Sequence, residues 1–188
     1  MNRKRIFIFL NIFMFLCILV MSADERDKAQ AKQLLSQGEQ KLQNRLYTEA
    51  IEDYNRAIEL DPDFKEAYNH RGLAKFYLND FLGAISDYDK ALELDPKFIE
   101  AYYNRGLTGY NARNYIGCIP DFDKVIELDE KDADAYFMRG LAKTFVAKIN
   151  IDSACEDFRK AKELGHKAKV PGQPDADFMI VKYCSKDR

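Results

Sequence analysis

The chain has no tryptophan and only two histidines among its 188 residues. His70 and His166 lie in different halves of the sequence, so no metal-ligand spacing links them. No glycine-rich phosphate loop and no nucleophile elbow appear. Neither sign of charge dominates: 29 Lys and Arg stand against 31 Asp and Glu, a formal net charge of −2. That removes the bulk attraction a nucleic-acid-binding chain would use. Near-adjacent acids such as Asp87 and Asp89 read as a solvated helical face rather than as a general acid and base. These absences leave no route to catalysis by this chain alone, and neither a metal nor a cofactor is expected.

Long hydrophobic runs are scarce too, and the one present stands at the N-terminus. "MNRKR" is followed by the 16-residue run "IFIFLNIFMFLCILVM", interrupted only by Asn11, and then by the polar "SADERDK". A basic start, an apolar middle and a polar exit describe a secretory signal peptide over residues 1–22. Val20 and Ser22 suit cleavage before Ala23; cleavage before Asp24 is the less suitable alternative. Ile6–Ala23 is also just long enough to remain as an uncleaved membrane anchor with the rest of the chain outside the cytoplasm. A lipoprotein reading through Cys17 is disfavoured because Leu16 is not small. Residues 23–30 read as a linker or the start of a first helix. The remainder, with 47% hydrophobic and 32% charged residues overall, is globular in balance and long enough for one ordinary domain.

What the chain has in abundance is itself. "AIEDYNRAIELDPDF" from Ala50 returns as "AISDYDKALELDPKF" from Ala84, 34 residues later, and less clearly from Cys118 and Ala154. Four frames follow: 31–64, 65–98, 99–132 and 133–168. Position 8 is Gly38, Gly72, Gly106 and Gly140; position 24 is Tyr54, Tyr88, Phe122 and Phe158. Position 20 is Ala50, Ala84, Cys118 and, after a two-residue insertion, Ala154. Large residues at positions 4, 17 and 24 set against small ones at 8, 20 and 27 describe two helices in close approach, with a ring on one entering a notch on the other. "AISDYDKALEL" has the spacing of an amphipathic helix. "NR", "ND" and "RN" mark the turn inside each pair, and "LDP" ends the second helix. Neither helix buries its apolar face alone, so the units must stack.

This pattern resembles the tetratricopeptide repeat over about Ala31 to Gly165. The resemblance implies an all-α fold: a right-handed α-solenoid of about four helix-turn-helix repeats. Pro120 inside the third frame is tolerable if that second helix starts near Cys118. The fourth frame carries the insertion in "VAKINIDSA" and ends in Gly165 and His166, as a terminal repeat would. After the break in "HKAKVPGQP", residues 175–185 are expected to form a capping helix. Asp175 or Asp177 would cap its start, with Phe178, Met179, Val181 and Tyr183 turned inward.

Cys118, at a small-residue position, reads as a buried thiol. Cys155 and Cys184 would face one another between the last repeat and the cap, and could pair in an oxidising compartment or remain separate thiols. Arg71, Arg105 and Arg139 recur at position 7. They form either a cationic ladder for an acidic ligand or pairs with Asp87, Asp121 and Asp157; the pairs are favoured because acid and base recur together. Gln37 would leave Asp53 without such a partner.

The resemblance also implies a concave wall built from the first helices at positions 2, 5, 9, 12 and 13, where families of this type bind peptides. The second frame places Glu66, Asn69, Leu73 and Tyr77 there. The third places Glu100, Tyr103, Leu107 and Tyr110; the fourth places Asp134, Phe137 and Leu141. The Lys and Asn with which chaperone-binding relatives hold a terminal carboxylate are missing. An apolar stripe with an acidic rim implies a protein segment with apolar anchors and some basic residues, with Tyr103, Leu107 and Phe137 as the best contacts. The chain is thus expected to be a periplasmic or secreted adaptor or scaffold for protein binding, with no nucleic-acid partner. The alternative is a membrane-anchored structural subunit of an envelope assembly, attached through residues 6–23.

Overall fold

The computed structural model describes residues 24–146, 151–168 and 173–184. Among these residues every regular element is an α-helix. α1 spans residues 24–43, α2 Tyr47–Leu60, α3 Lys65–Tyr77, α4 Phe81–Leu94 and α5 Ile99–Asn111. α6 spans Tyr115–Leu128, α7 Ala133–Thr144, α8 Ile151–Glu163 and α9 Ala176–Cys184. The signal peptide or anchor expected over residues 1–23 falls outside the described residues; within them, no helix is long and apolar enough to cross a membrane.

Consecutive helices pair: α3 with α4, α5 with α6, α7 with α8, and α9 packs on α8. Hairpins stack through α2 on α3, α4 on α5 and α6 on α7. First helices also touch the next first helix, α3 on α5 and α5 on α7, and so form one wall of the α-solenoid.

The notches foreseen from the repeat are filled as the residue sizes require. Tyr54, Tyr88, Phe122 and Phe158 are each 0% exposed. A methyl group at Gly72 would lie 2.8 Å from the Tyr88 ring, and one at Gly140 2.7 Å from the Phe158 ring. Only glycine admits that approach, and each ring it buries contributes on the order of 1.5–3 kcal/mol.

Turn chemistry explains the boundaries. α1, α3 and α5 end with Arg45, Asn79 and Arg113 at φ near +60°. The amides of Leu46, Asp80 and Asn114 reach back to the carbonyls of Lys41, Lys75 and Gly109, the bond pattern of a Schellman cap. Two of these left-handed positions hold arginine, where glycine would be unstrained. Between repeats, proline matters less than the "LDP" motif suggested. Asp61, Asp95 and Asp129 all adopt extended backbone at the helix end, although Glu130 follows Asp129. In each case the aspartate side chain accepts a hydrogen bond from the amide two residues on: Asp63, Lys97 and Lys131. An aspartate turn of this kind stops the helix with or without proline.

α6 begins at Tyr115, three residues before Cys118, so Pro120 stands in its second turn. The missing amide leaves the Ile116 carbonyl without its usual helical partner, at a residue that is 68% exposed. α9 also departs from expectation. Asp175 caps it, accepting from the Phe178 amide at 2.8 Å. Met179 and Tyr183 pack inward with Ala176 and Ile180, but Phe178 and Val181 are 55% and 72% exposed. A single short helix on α8 buries one stripe at helical spacing, and positions 178 and 181 lie off it. A disulfide joins Cys155 to Cys184 across a Cα–Cα distance of 5.6 Å; Cys118 is a buried free thiol.

Candidate binding groove

The recurring arginines belong to the scaffold of the groove rather than to its open surface. Arg71 donates to both Asp87 carboxylate oxygens at 2.9 and 2.6 Å, and Arg139 to those of Asp157 at 3.0 and 2.6 Å. Arg105 grips Asp121 in the same way. The third guanidinium nitrogen reaches the preceding repeat: Arg71 to Asn55, Arg105 to Asp89 and Arg139 to Asp123. Each guanidinium lies over the position-4 tyrosine, Tyr68, Tyr102 or Tyr136, at 5.4–5.5 Å. One side chain thus ties its own hairpin to the one before. The sequence pairing of arginine with acid is borne out, and two expectations are corrected. Asp87 is 4% exposed and not part of a solvated face. Asp53 has a partner, Lys41, at 2.5 Å. Lys41 sits one turn beyond Gln37, as Lys75 and Lys143 sit one turn beyond Arg71 and Arg139 against Asp87 and Asp157. The third repeat has Gly109 there, so Arg105 alone meets Asp121 from α5, and burial pushes the Asp121 carboxyl above its ordinary range despite that arginine.

On the wall of first helices two clefts lie side by side. The first, about 650 Å³, is lined by Tyr77, Tyr103, Leu107, Tyr110, Asp134, Phe137 and Leu141 among others. The second, about 950 Å³, is lined by Asn69, Leu73, Glu100, Tyr103 and Asp134 with Lys65, His70 and further acids. Tyr103 and Asp134 are shared, which makes the clefts one groove with an apolar half and an acidic half. Ten of the eleven groove residues singled out in the sequence line it; Glu66 does not, its carboxylate lying 3.8 Å from Lys65 instead. Burial, and after it the carboxylates of Asp134 and Asp132, hold the Tyr103 hydroxyl well above its usual range. Asp132 and Asp134 thus bring carboxylates to the junction of the two halves.

Not all of these side chains are open. Asn69 is 4% exposed and accepts a hydrogen bond from Asn104 at 3.0 Å. Phe137 is 6% exposed because it packs on Phe158 beneath and is covered from above by His166, whose ring lies flat on it at 3.9 Å. The cover is what sequence reasoning missed. The chain leaving α8 turns at Gly165 (φ +86°). The His166 amide bonds to the Ala161 carbonyl there, and the following segment becomes a wall of the first cleft through His166, Lys167, Ala168, Gln173 and Pro174. Gly165 was the available signal, since a left-handed helix end reverses the chain direction. An aromatic and aliphatic edge was missed as well. Leu82, Ile116 and Phe145 are 84%, 68% and 55% exposed, and Phe145 stacks on Tyr115 at 4.5 Å.

This architecture of paired helices and glycine notches has counterparts. A family model described as TPR repeat matches residues 46–78 and 74–111. Another, described as tetratricopeptide repeat, matches residues 99–132. Residues 46–132 are tetratricopeptide repeats. Among solved structures, the repeats resemble the crystal structure of MamA at 29% identity, over 71% of this chain and 77% of that one, with a TM-score of 0.67. The first TPR of Spaghetti (RPAP3), bound to the HSP90 peptide SRMEEVD, is 25% identical over 62% of this chain and 95% of its own, with a TM-score of 0.61. The Arabidopsis OM64 TPR domain, at 22% identity over 64% of this chain and 99% of that one, shares the fold at a TM-score of 0.62. No curated protein matches the sequence. A protein-interaction module is the function these repeats and their neighbours support.

Proposed function

We propose that this chain is a non-catalytic adaptor that acts outside the cytoplasm and holds a segment of a partner protein in the groove along α3, α5 and α7. The observation that carries the reading is the continuity of the two clefts through Tyr103 and Asp134. An apolar half supplies anchor sites and an acidic half supplies steering, the division of labour expected of a peptide groove. The Spaghetti repeat bound to SRMEEVD holds an acidic peptide. Here Leu73, Leu107 and Leu141 and the acids of the groove reverse that preference and favour a partner segment with basic residues. Action outside the cytoplasm rests on the N-terminal basic-apolar-polar pattern and on the Cys155–Cys184 disulfide, a bond at home in oxidising compartments.

A photo-crosslinking residue placed at Leu107, compared with one at the outward-facing Glu52, tests the site in cells. Adducts at position 107 that disappear in a folded Tyr103→Ala variant are the expected result. Adducts at position 52 alone would move the interaction off the groove. N-terminal sequencing of the exported protein tests the export reading: a start near Ala23 is expected for a cleaved signal, and an intact "MNRKR" end means an anchor. The second reading, a membrane-anchored subunit of an envelope assembly, gains support from the exposed edge at Leu82, Ile116 and Phe145. In that case crosslinks would concentrate at Leu82 and Ile116.

A further inference from the structure

The fourth repeat shows its groove position already filled, by the chain itself. His166 lies flat on Phe137, ring centroids 3.9 Å apart and planes 18° apart. Its Nε2 is 3.6 Å from Asp134 Oδ1, too long for a hydrogen bond between those two atoms. Phe137 is position 5 of its repeat and Asp134 is position 2. A planar nitrogen-bearing side chain thus stacks on the position-5 ring and turns its edge to the position-2 acid.

The third repeat offers the same pair of groups, one repeat along. Tyr103 holds position 5 and Glu100 position 2, both on α5 and both lining the acidic half of the groove. Tyr103 packs on Phe122 in a T-shaped pair, ring centroids 5.9 Å apart, and remains partly exposed. Glu100 is exposed; the Lys65 ammonium in the same cleft is near enough for the two charges to interact, while its own close ion pair is with Asp95. The second repeat does not repeat the arrangement, because its position 5 is Asn69, buried and bonded to Asn104. Among the described residues, Tyr103 with Glu100 is therefore the one open copy of the pair that His166 occupies.

We infer that Tyr103 and Glu100 form a subsite for an arginine side chain of a partner protein, stacked on the tyrosine ring and paired with the carboxylate. The inference rests on the groove reading above and adds to it the identity of the contact. Arginine fits better than lysine, since its flat guanidinium stacks on an aromatic face while its edge still donates to a carboxylate. The carboxylates of Asp132 and Asp134, which line the same cleft as Tyr103, favour the cation further. From there the partner chain continues into the apolar half, where Leu107 and Leu141 receive an aliphatic residue.

The probes are four synthetic peptides that differ at one position: an otherwise alanine-rich segment carrying a leucine and, two residues before it, arginine, citrulline, lysine or glutamate. Binding to the whole exported chain is read by fluorescence polarisation. The arginine peptide is expected to bind at least tenfold more tightly than the citrulline peptide, which keeps the planar shape without the charge, and more tightly than the lysine peptide. Glu100→Gln, at an exposed position, should erase the arginine-over-citrulline ratio. Tyr103→Leu should erase the arginine-over-lysine ratio. Equal binding of arginine and citrulline peptides to wild type, a ratio unchanged in Glu100→Gln, or no measurable arginine-peptide binding at millimolar concentration would each overturn the subsite. Crosslinking at position 107 that persists in any of those cases leaves the groove reading standing; crosslinking at position 52 alone removes both.

Discussion

Removing the Cys155–Cys184 disulfide is the perturbation with the largest effect calculable from the structure. The bond closes a loop of 29 residues between α8 and α9. In the chain-entropy description such a loop contributes about 3.6 kcal/mol at 25 °C. α9 has nine residues, too few to hold a helix in isolation. Its docking covers the cluster of Phe137, Ala154, Phe158 and Ala161 through Ala176 and Met179. For a chain of this size each kcal/mol moves the melting temperature by roughly 2–4 °C, so a global effect would be on the order of 7–14 °C. Stacked repeats contact only their neighbours, however, and part of the loss stays local. Thermal melts with and without reductant measure the global share, against a Cys155→Ser/Cys184→Ser double variant in which reductant should do nothing. Hydrogen exchange measures the local share: protection should fall in α8 and α9 and hold in α3 and α4. A melting shift below about 1 °C together with unchanged exchange in α9 would show that the disulfide does not hold the cap. Titratable thiols at Cys155 and Cys184 in the denatured, unreduced protein would show that the bond does not form.

Three further outcomes are expected. Gly140→Ala should cost roughly 1–3 kcal/mol in urea unfolding, because the added methyl lands 2.7 Å from the Phe158 ring; in an open helix the same change would stabilise. Arg113→Gly should stabilise by roughly 0.5–1 kcal/mol, as it relieves a left-handed arginine at φ +62° on an exposed turn, and a destabilised variant would mean that the arginine side chain holds the turn. Burial pushes the Cys118 thiol up to about 11. A folded value raised above the unfolded one gives stability that is present below about pH 8.5 and lost as pH rises through the folded value. Wild type should therefore lose stability relative to Cys118→Ala over that interval in urea unfolding followed against pH, and parallel curves would show that the thiol is not shielded.

Leu82 and Ile116 occupy the same position in successive second helices and are among the most exposed apolar side chains. Tyr115 and Phe145, from neighbouring repeats, stack across the gap between them. Scattered exposed apolar residues are ordinary on a protein surface. Leu82 and Ile116, however, hold one position in two successive repeats, which is why the crosslinking positions above include them.

The amino-acid sequence by itself determined the architecture. A 34-residue period is a covalent fact, and residue sizes at positions 8 and 24 force each glycine under a ring whatever surrounds the pair. The arginine–aspartate pairs were legible for the same reason: both members recur at fixed offsets, and a half-buried cation needs its acid. Ten of the eleven positions that the repeat resemblance implied for the concave wall line the two clefts. Tertiary structure decided what a single repeat cannot encode. The second bond of each arginine to the preceding repeat, and the partnership of Lys41 with Asp53, depend on how neighbouring helices are phased. The inward stripe of α9 depends on the angle at which it meets α8, and so Phe178 and Val181 face out. Above all, the placement of His166 over Phe137 follows from the chain reversal at Gly165, which folds the end of the last repeat back across the groove. Contacts made within the repeat are written into its period; those made where the period ends are set by geometry that the period does not contain.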